Sequence, residues 1–94
     1  MSQEITVRVR ITGRVQGIGY RYWVVDQAAL LHLDGWVRNR RDGSVEAVFA
    51  GSEGVVADMV GRCHQGPVLA RVDGVAETAE SEAVAAGFQA LPTT

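Results

Sequence analysis

Gly13, Gly17 and Gly19 fall within the segment Gly13-Arg14-Val15-Gln16-Gly17-Ile18-Gly19-Tyr20-Arg21. Glycines so spaced let a loop adopt positive φ angles and bring its backbone close to a ligand. Successive amides in such a turn can converge as a nest for an anion. An alternating stretch precedes the segment and a helical one follows it. The helix N-terminus then adds free N–H groups and the positive end of a dipole. Arg21 stands where the helix begins, and its guanidinium can fold over the nest and grip a phosphate bidentately. Nucleotide loops fit poorly. A Walker A loop requires Lys-Ser or Lys-Thr after its last glycine, where this chain has Tyr20-Arg21. A dinucleotide fingerprint requires another glycine where Tyr22 stands. On composition alone, an ordinary glycine-rich strand-to-helix turn remains the alternative.

A second segment runs from Gly35 to Glu46, and Asn39 is its chemically distinctive residue. A carboxamide carries both donor and acceptor, so it can hold a water molecule in a set orientation. Alternation puts Val37 and Asn39 on one face and Trp36, Arg38 and Arg40 on the other. The plain alternative is an asparagine at the entry to a hairpin.

These residues need a frame. Ile5, Val7, Val9 and Ile11 alternate with Thr6, Arg8, Arg10 and Thr12, which predicts a strand over 5–12 with one buried face. From about Arg21 the period changes. Val24, Val25, Ala28, Ala29 and Leu31 fit a helix face that fades before Gly35. Trp36 to Arg40 predicts a short strand, and Arg41-Asp42-Gly43-Ser44 a hairpin turn. The chain then returns, with Val45, Ala47 and Phe49 alternating against Glu46, Val48 and Ala50. Ser52 suits the N-cap of a second helix striped by Val56, Met59, Val60 and Cys63 and stopped by Gly66-Pro67. Residues 69–77 predict a fourth strand with Leu69, Val72 and Val75 facing inward. Residues 79–86 favour helix by composition and loop by position. Phe88 to Leu91 predicts a short last strand.

The order strand, helix, strand, strand, helix, strand predicts an α+β fold. It is the ferredoxin-like βαββαβ sandwich, an antiparallel sheet with two helices on one face. Many functions share that plan, so it decides none of them. Ninety-four residues predict one domain, 1–94, with a core of about 5–91. A chain of this size buries about 64% of its extended surface. Hydrophobic residues at 47% and charged residues at 21% exclude a disordered chain. No apolar run approaches the ~20 residues that span a bilayer. The N-terminus also lacks the apolar stretch of a secretory signal. The expected address is the cytoplasm, the expected state a monomer, and no membrane partner is expected. The single cysteine excludes an internal disulfide and makes a metal cage an unlikely design.

The net charge of −2 conceals an asymmetry. Seven of nine arginines lie between Arg8 and Arg41, opposed there only by Asp26 and Asp34, and the chain has no lysine. The half from Asp42 onward is acidic. That split suits a local anion site better than general affinity for polyanions, although arginines and acids could simply pair across the fold. His32, His64, Cys63, Trp23, Trp36 and Met59 read as structural or exposed residues. Glu77, Glu80 and Glu82 read as a solvated acidic stretch.

Taken together, the two segments resemble the acylphosphatase family, whose signatures run close to G-R-V-Q-G-V-x-[FY]-R and G-[WY]-V-x-N-x-x-D-G-x-V-E. This chain has G-R-V-Q-G-I-G-Y-R at 13–21 and G-W-V-R-N-R-R-D-G-S-V-E at 35–46. The resemblance covers roughly residues 5–91. It implies the ferredoxin-like fold, and hydrolysis of small acyl phosphates to a carboxylate and inorganic phosphate with no metal or other cofactor. It implies that the amides of Val15, Gln16, Gly17, Ile18, Gly19 and Tyr20 cradle the phosphate. It makes Arg21 the phosphate-binding arginine and Asn39 the residue that orients the attacking water. One departure is Val24, where many members have threonine, which puts fine positioning at the helix start in question. The last strand is shorter than usual, so a less stable C-terminal edge is expected.

Two other classes compete. RNA-binding domains share this element order, but their stacking aromatics lie on central strands. Tyr20, Tyr22 and Trp23 fall at a loop and helix start, so no nucleic-acid partner is expected. A non-catalytic binding or regulatory module is the other, as in the acylphosphatase-like domain of a larger hydrogenase-maturation enzyme. The stand-alone length favours an enzyme.

Overall fold

The computed structural model describes residues 3–94. Five strands and two helices follow in the order β1 (Glu4–Arg14), α1 (Tyr20–Leu30), β2 (Asp34–Asn39), β3 (Val45–Ser52), α2 (Glu53–Gln65), β4 (Arg71–Ala79) and β5 (Phe88–Ala90). They form one sheet ordered β4-β1-β3-β2-β5. The alternation in the first strand does what its pattern dictates. Val7, Val9 and Ile11 are buried and share a cluster with Val24 and Ala28 of α1 and with Val56, Met59, Val60 and Cys63 of α2. Both helices therefore pack on one face, as expected for the ferredoxin-like plan. Each fully buried Val, Ile or Met there contributes about 1.5–3 kcal/mol relative to exposure. No helix among the described residues is long and apolar enough to cross a membrane.

The sheet is mixed, which corrects the expectation of an antiparallel one. Strand β5 runs parallel to β2, pairing Gly35 with Phe88 and Val37 with Ala90. Connectivity explains the direction. Strand β4 leaves the sheet at one edge, and residues 80–87 cross to the opposite edge without helix or strand. The chain arrives at the end where β2 begins, so it can only run alongside β2. That crossing also resolves residues 80–86 in favour of loop, while Ala79 ends β4. Two smaller corrections belong here. Strand β4 starts at Arg71, leaving Leu69 exposed in the preceding loop. Ser52 occupies the N-cap position of α2, yet its side chain makes no cap bond.

Central strand β3 is buried on both sides. Val45, Ala47 and Phe49 face the helices, while Glu46 and Val48 are covered on the other face. An ion network does the covering, with Arg8 bonded to both Glu46 and Glu80 and Arg38 bonded to Glu46 at 2.8 Å. The guanidiniums of Arg38 and Arg8 lie 4.7 and 5.5 Å from the centroid of the Trp36 ring. Glu80, read from sequence as solvated, is instead tied down, its side chain 12% exposed. At Gly35 the backbone has φ +135°, and an added Cβ would overlap the Val48 carbonyl, so this crossing admits only glycine.

The network sets the acid limit of stability. Burial pushes the Glu46 carboxyl up, but hydrogen bonds and charges from Arg38 and Arg8 outweigh it and hold the group below the usual carboxylate range. The Arg8 hydrogen bond lowers Glu80 in the same direction. A carboxyl lowered by folding stabilises fully above its unfolded value, near 4.3, and loses that contribution as pH falls through its folded value. The thermal midpoint should therefore hold steady from neutrality to about pH 5 and fall steeply below about pH 4. Calorimetry across that range checks this. In a Glu46→Gln variant the acid-side fall should be shallower.

Candidate active site

Strand β1 ends in an irregularity between Thr12 and Gly13 that redirects the chain into the loop. Gly13 sits so near β4 that a Cβ would overlap the Arg71 carbonyl. Val15 is almost wholly buried and anchors the loop in the core. Gly17 and Gly19 take left-handed φ angles of 76° and 81°. They curl the backbone back toward the first turn of α1, where the Gly19 carbonyl accepts from the Trp23 amide at 3.0 Å. No side chain caps α1 and its first turn holds no acidic residue, so its leading amides and dipole are left for another anion.

The loop, the start of α1 and the end of β2 enclose a cavity of about 120 Å³. Val15, Gln16, Gly17 and Gly19 form one wall, Tyr20, Arg21 and Tyr22 another, and Asn39 a third. Ile18 does not line this space; it is half-buried against the core. Tyr20 is fixed by its hydroxyl, which donates to the Cys63 carbonyl at 2.7 Å, so only its backbone is free for a ligand. Burial drives that phenol far above its ordinary pKa. Val24 is fully buried on the inner face of α1, away from the cavity. His32 and His64 are exposed and do not line it.

Arg21 is electrostatically singular. Arg8, Arg10, Arg38, Arg40, Arg62 and Arg71 each have a carboxylate partner. Among the described residues only Arg14, Arg21 and Arg41 do not, and of those three only Arg21 lines the cavity. Its Nη1 reaches the Leu91 carbonyl at a long 3.4 Å, and its guanidinium lies 5.5 Å from the Tyr22 ring. The charge asymmetry is thus spent mostly on pairing, with one cation left facing the loop. Asn39 is half-buried, its carbonyl accepts from the Thr94 amide at 3.1 Å, and its carboxamide has no hydrogen bond within the described protein.

Sequence reading gave Gln16 only a backbone role and missed its side chain. The Nε2 group donates to the carbonyls of Arg40 and Ser44, both at 2.8 Å, strapping the loop to the β2–β3 hairpin that carries Asn39. No local pattern marks such a bond, because its partners are backbone atoms 24 and 28 residues away.

Two helices on one face of a mixed sheet, with an unneutralised arginine over a glycine loop, define a ferredoxin-like domain suited to a small oxyanion. Known proteins supply the family. The acylphosphatase family model matches residues 7–90. A Rhodopseudomonas palustris acylphosphatase is 58% identical over 80 residues, covering 84% of this chain and 81% of its own. One from Bradyrhizobium diazoefficiens is 56% identical and covers 99% of each chain. The structure of an acylphosphatase from Coxiella burnetii superposes with a TM-score of 0.90 at 30% identity, over 94% of this chain and 93% of that one. The chain belongs to the acylphosphatase family and is an acyl phosphate hydrolase.

Cys63 belongs to the frame of this site. It is fully buried, and burial pushes its thiol up to about 12 although Tyr20 opposes the shift. A thiol so placed carries almost no thiolate at pH 8. Native protein should resist iodoacetamide at that pH, and denatured protein should react fully; mass spectrometry distinguishes the two. Rapid labelling of the native fold would contradict the packing around Tyr20.

Proposed function

We propose that the loop amides from Val15 to Tyr20, with Arg21, hold the phosphoryl group of a small acyl phosphate, and that Asn39 orients the water that attacks it. One observation carries this reading: the loop backbone, an arginine without a carboxylate partner and a carboxamide without a protein partner all line one cavity. An acyl phosphate is a mixed anhydride with a good leaving group. The remaining tasks are to grip the phosphoryl oxygens, to spread charge in the transition state and to align water with the leaving oxygen. Backbone donors and Arg21 perform the first two with little reorganisation. The Asn39 carboxamide performs the third. Water oxygen bonds to phosphorus, the bond from phosphorus to the acyl oxygen breaks, and its electron pair leaves with the carboxylate. Asparagine is not a base, so the water's proton passes to a phosphate oxygen or to the departing carboxylate.

The reading needs no metal. The lining side chains are apolar, amide, phenol or guanidinium groups, with no carboxylate or imidazole among them, a poor donor set for a divalent ion. It also extends to a monomer acting in the cytoplasm on a diffusible acyl phosphate and releasing inorganic phosphate.

Arg21→Ala should lower kcat/KM for benzoyl phosphate by ~10²–10³-fold or more, the cost of losing a key transition-state donor. Asn39→Ala should lower kcat far more than it weakens competitive inhibition by inorganic phosphate. Near-normal turnover in Asn39→Ala would remove the water-holding role. Rates should stay flat across neutral pH, unchanged by EDTA and by His32→Ala or His64→Ala; a chelator-sensitive rate restored by a divalent ion would overturn the metal-free reading.

A further inference from the structure

No protein group among those described hydrogen-bonds the Asn39 carboxamide. A side chain without a hydrogen-bond partner takes its direction from its backbone, its rotamer and its packing. That backbone is held by its pairing with Val45, by the Thr94 amide on the Asn39 carbonyl at 3.1 Å, and also from the opposite face. Residues 38 and 40 flank Asn39 and, by alternation, point away from the cavity. Arg38 Nε donates to Glu46 Oε1 at 2.8 Å, and Arg40 Nη1 reaches the same oxygen at 3.4 Å. One carboxylate oxygen thus ties down both neighbours of Asn39. Glu46 lies directly across from Arg38 in the β2–β3 ladder, one residue beyond the Asn39–Val45 pair. Its own position is fixed, because its side chain is 7% exposed, its other oxygen accepts from Arg8, and Arg38 stacks on Trp36.

We propose that Glu46 is a positioning residue for hydrolysis: from behind the sheet it clamps Arg38 and Arg40 and so sets the direction in which Asn39 presents its carboxamide. The inference rests on the reading of Asn39 as the water holder. Energetics favour a role of this kind. A buried carboxylate among three arginines adds little net stability over a well-packed apolar group of the same size, since desolvation offsets the attraction. What the network supplies is a fixed geometry, and misplacing a reacting group by about 1 Å can cost on the order of 10²-fold in rate. Gln16 complements the clamp from the cavity side by fixing the Arg40 and Ser44 carbonyls.

The test is a double-mutant cycle read by kcat, by the inhibition constant for inorganic phosphate, and by thermal midpoint. Glu46→Gln keeps the size and a single acceptor but loses the charge, and should lower kcat roughly ten- to hundredfold. Phosphate inhibition should stay close to the parent's, because the loop and Arg21 are untouched. In an Asn39→Ala background the same substitution should have almost no further effect on kcat. Glu46→Asp should recover part of the loss. Should Glu46→Gln fail to fold, Arg40→Met removes one tie at a side chain 30% exposed. It should then give a smaller kcat loss that likewise vanishes with Asn39→Ala. An equal loss of kcat in both backgrounds, or a parallel loss of phosphate affinity, overturns the clamp. Near-normal kcat in Asn39→Ala alone would instead overturn the water-holding assignment on which the clamp rests.

Discussion

Arg21 brings a full positive charge, with no carboxylate to neutralise it among the described residues, to a cavity that it shares with the glycine loop. Left in water such a charge is cheap, but here it is half-buried, at the start of a helix that no side chain caps. In the function proposed, the attraction between that cation and an incoming oxyanion is the central interaction. Among the described residues its guanidinium makes only one hydrogen bond, a long 3.4 Å reach to the Leu91 carbonyl. The first turn of α1 carries no acid, and the nearby arginines Arg38 and Arg40 are occupied on the far face by Glu46. The sheet is the partition: Arg8, Arg38 and Arg40 pair with Glu46 and Glu80 on the face away from the helices, while Arg21 lines the cavity on the other side.

Rigidity comes from different sources on the two sides of that partition. On the helix side the loop is held by apolar burial of Val15 and Tyr20 and by the hydroxyl bond from Tyr20 to Cys63. These are contacts that tolerate no volume change. On the other side the backbone of β2 is held by charge, through Glu46 and its arginines. The loop and the hairpin are then joined directly by Gln16. The backbone cradle proposed for the phosphoryl group would need such stiffening, because amides cannot swing to meet a ligand as side chains do.

Much of this was legible in the sequence where the signal is local. The period of two in β1, the change of period at Arg21 and the Asp42-Gly43 turn each report on a few adjacent residues, and the elements lie where those patterns put them. The glycine loop and the facing of Asn39 away from Arg38 and Arg40 follow from the same short-range rules. What failed was non-local. Leu69 is apolar and follows a Gly-Pro stop, but β4 cannot begin until β1 offers it a partner, at Arg14 opposite Arg71. Nothing in Phe88-Gln89-Ala90 states whether the strand runs with or against its neighbour; the route of residues 80–87 decides that. Glu80 read as solvated because carboxylates usually are. Its side chain is instead held by Arg8, 72 residues distant in the chain.

The most direct measurement is a titration of isotopically labelled protein with inorganic phosphate, followed by backbone and side-chain amide NMR. Shift changes should saturate together and concentrate at residues 15–21, with the Asn39 side-chain NH₂ pair moving on the same isotherm. They should disappear in Arg21→Ala. Saturable shifts centred anywhere else, or a loop whose amides stay still while phosphate inhibits turnover, would contradict a cradle made of backbone and one guanidinium.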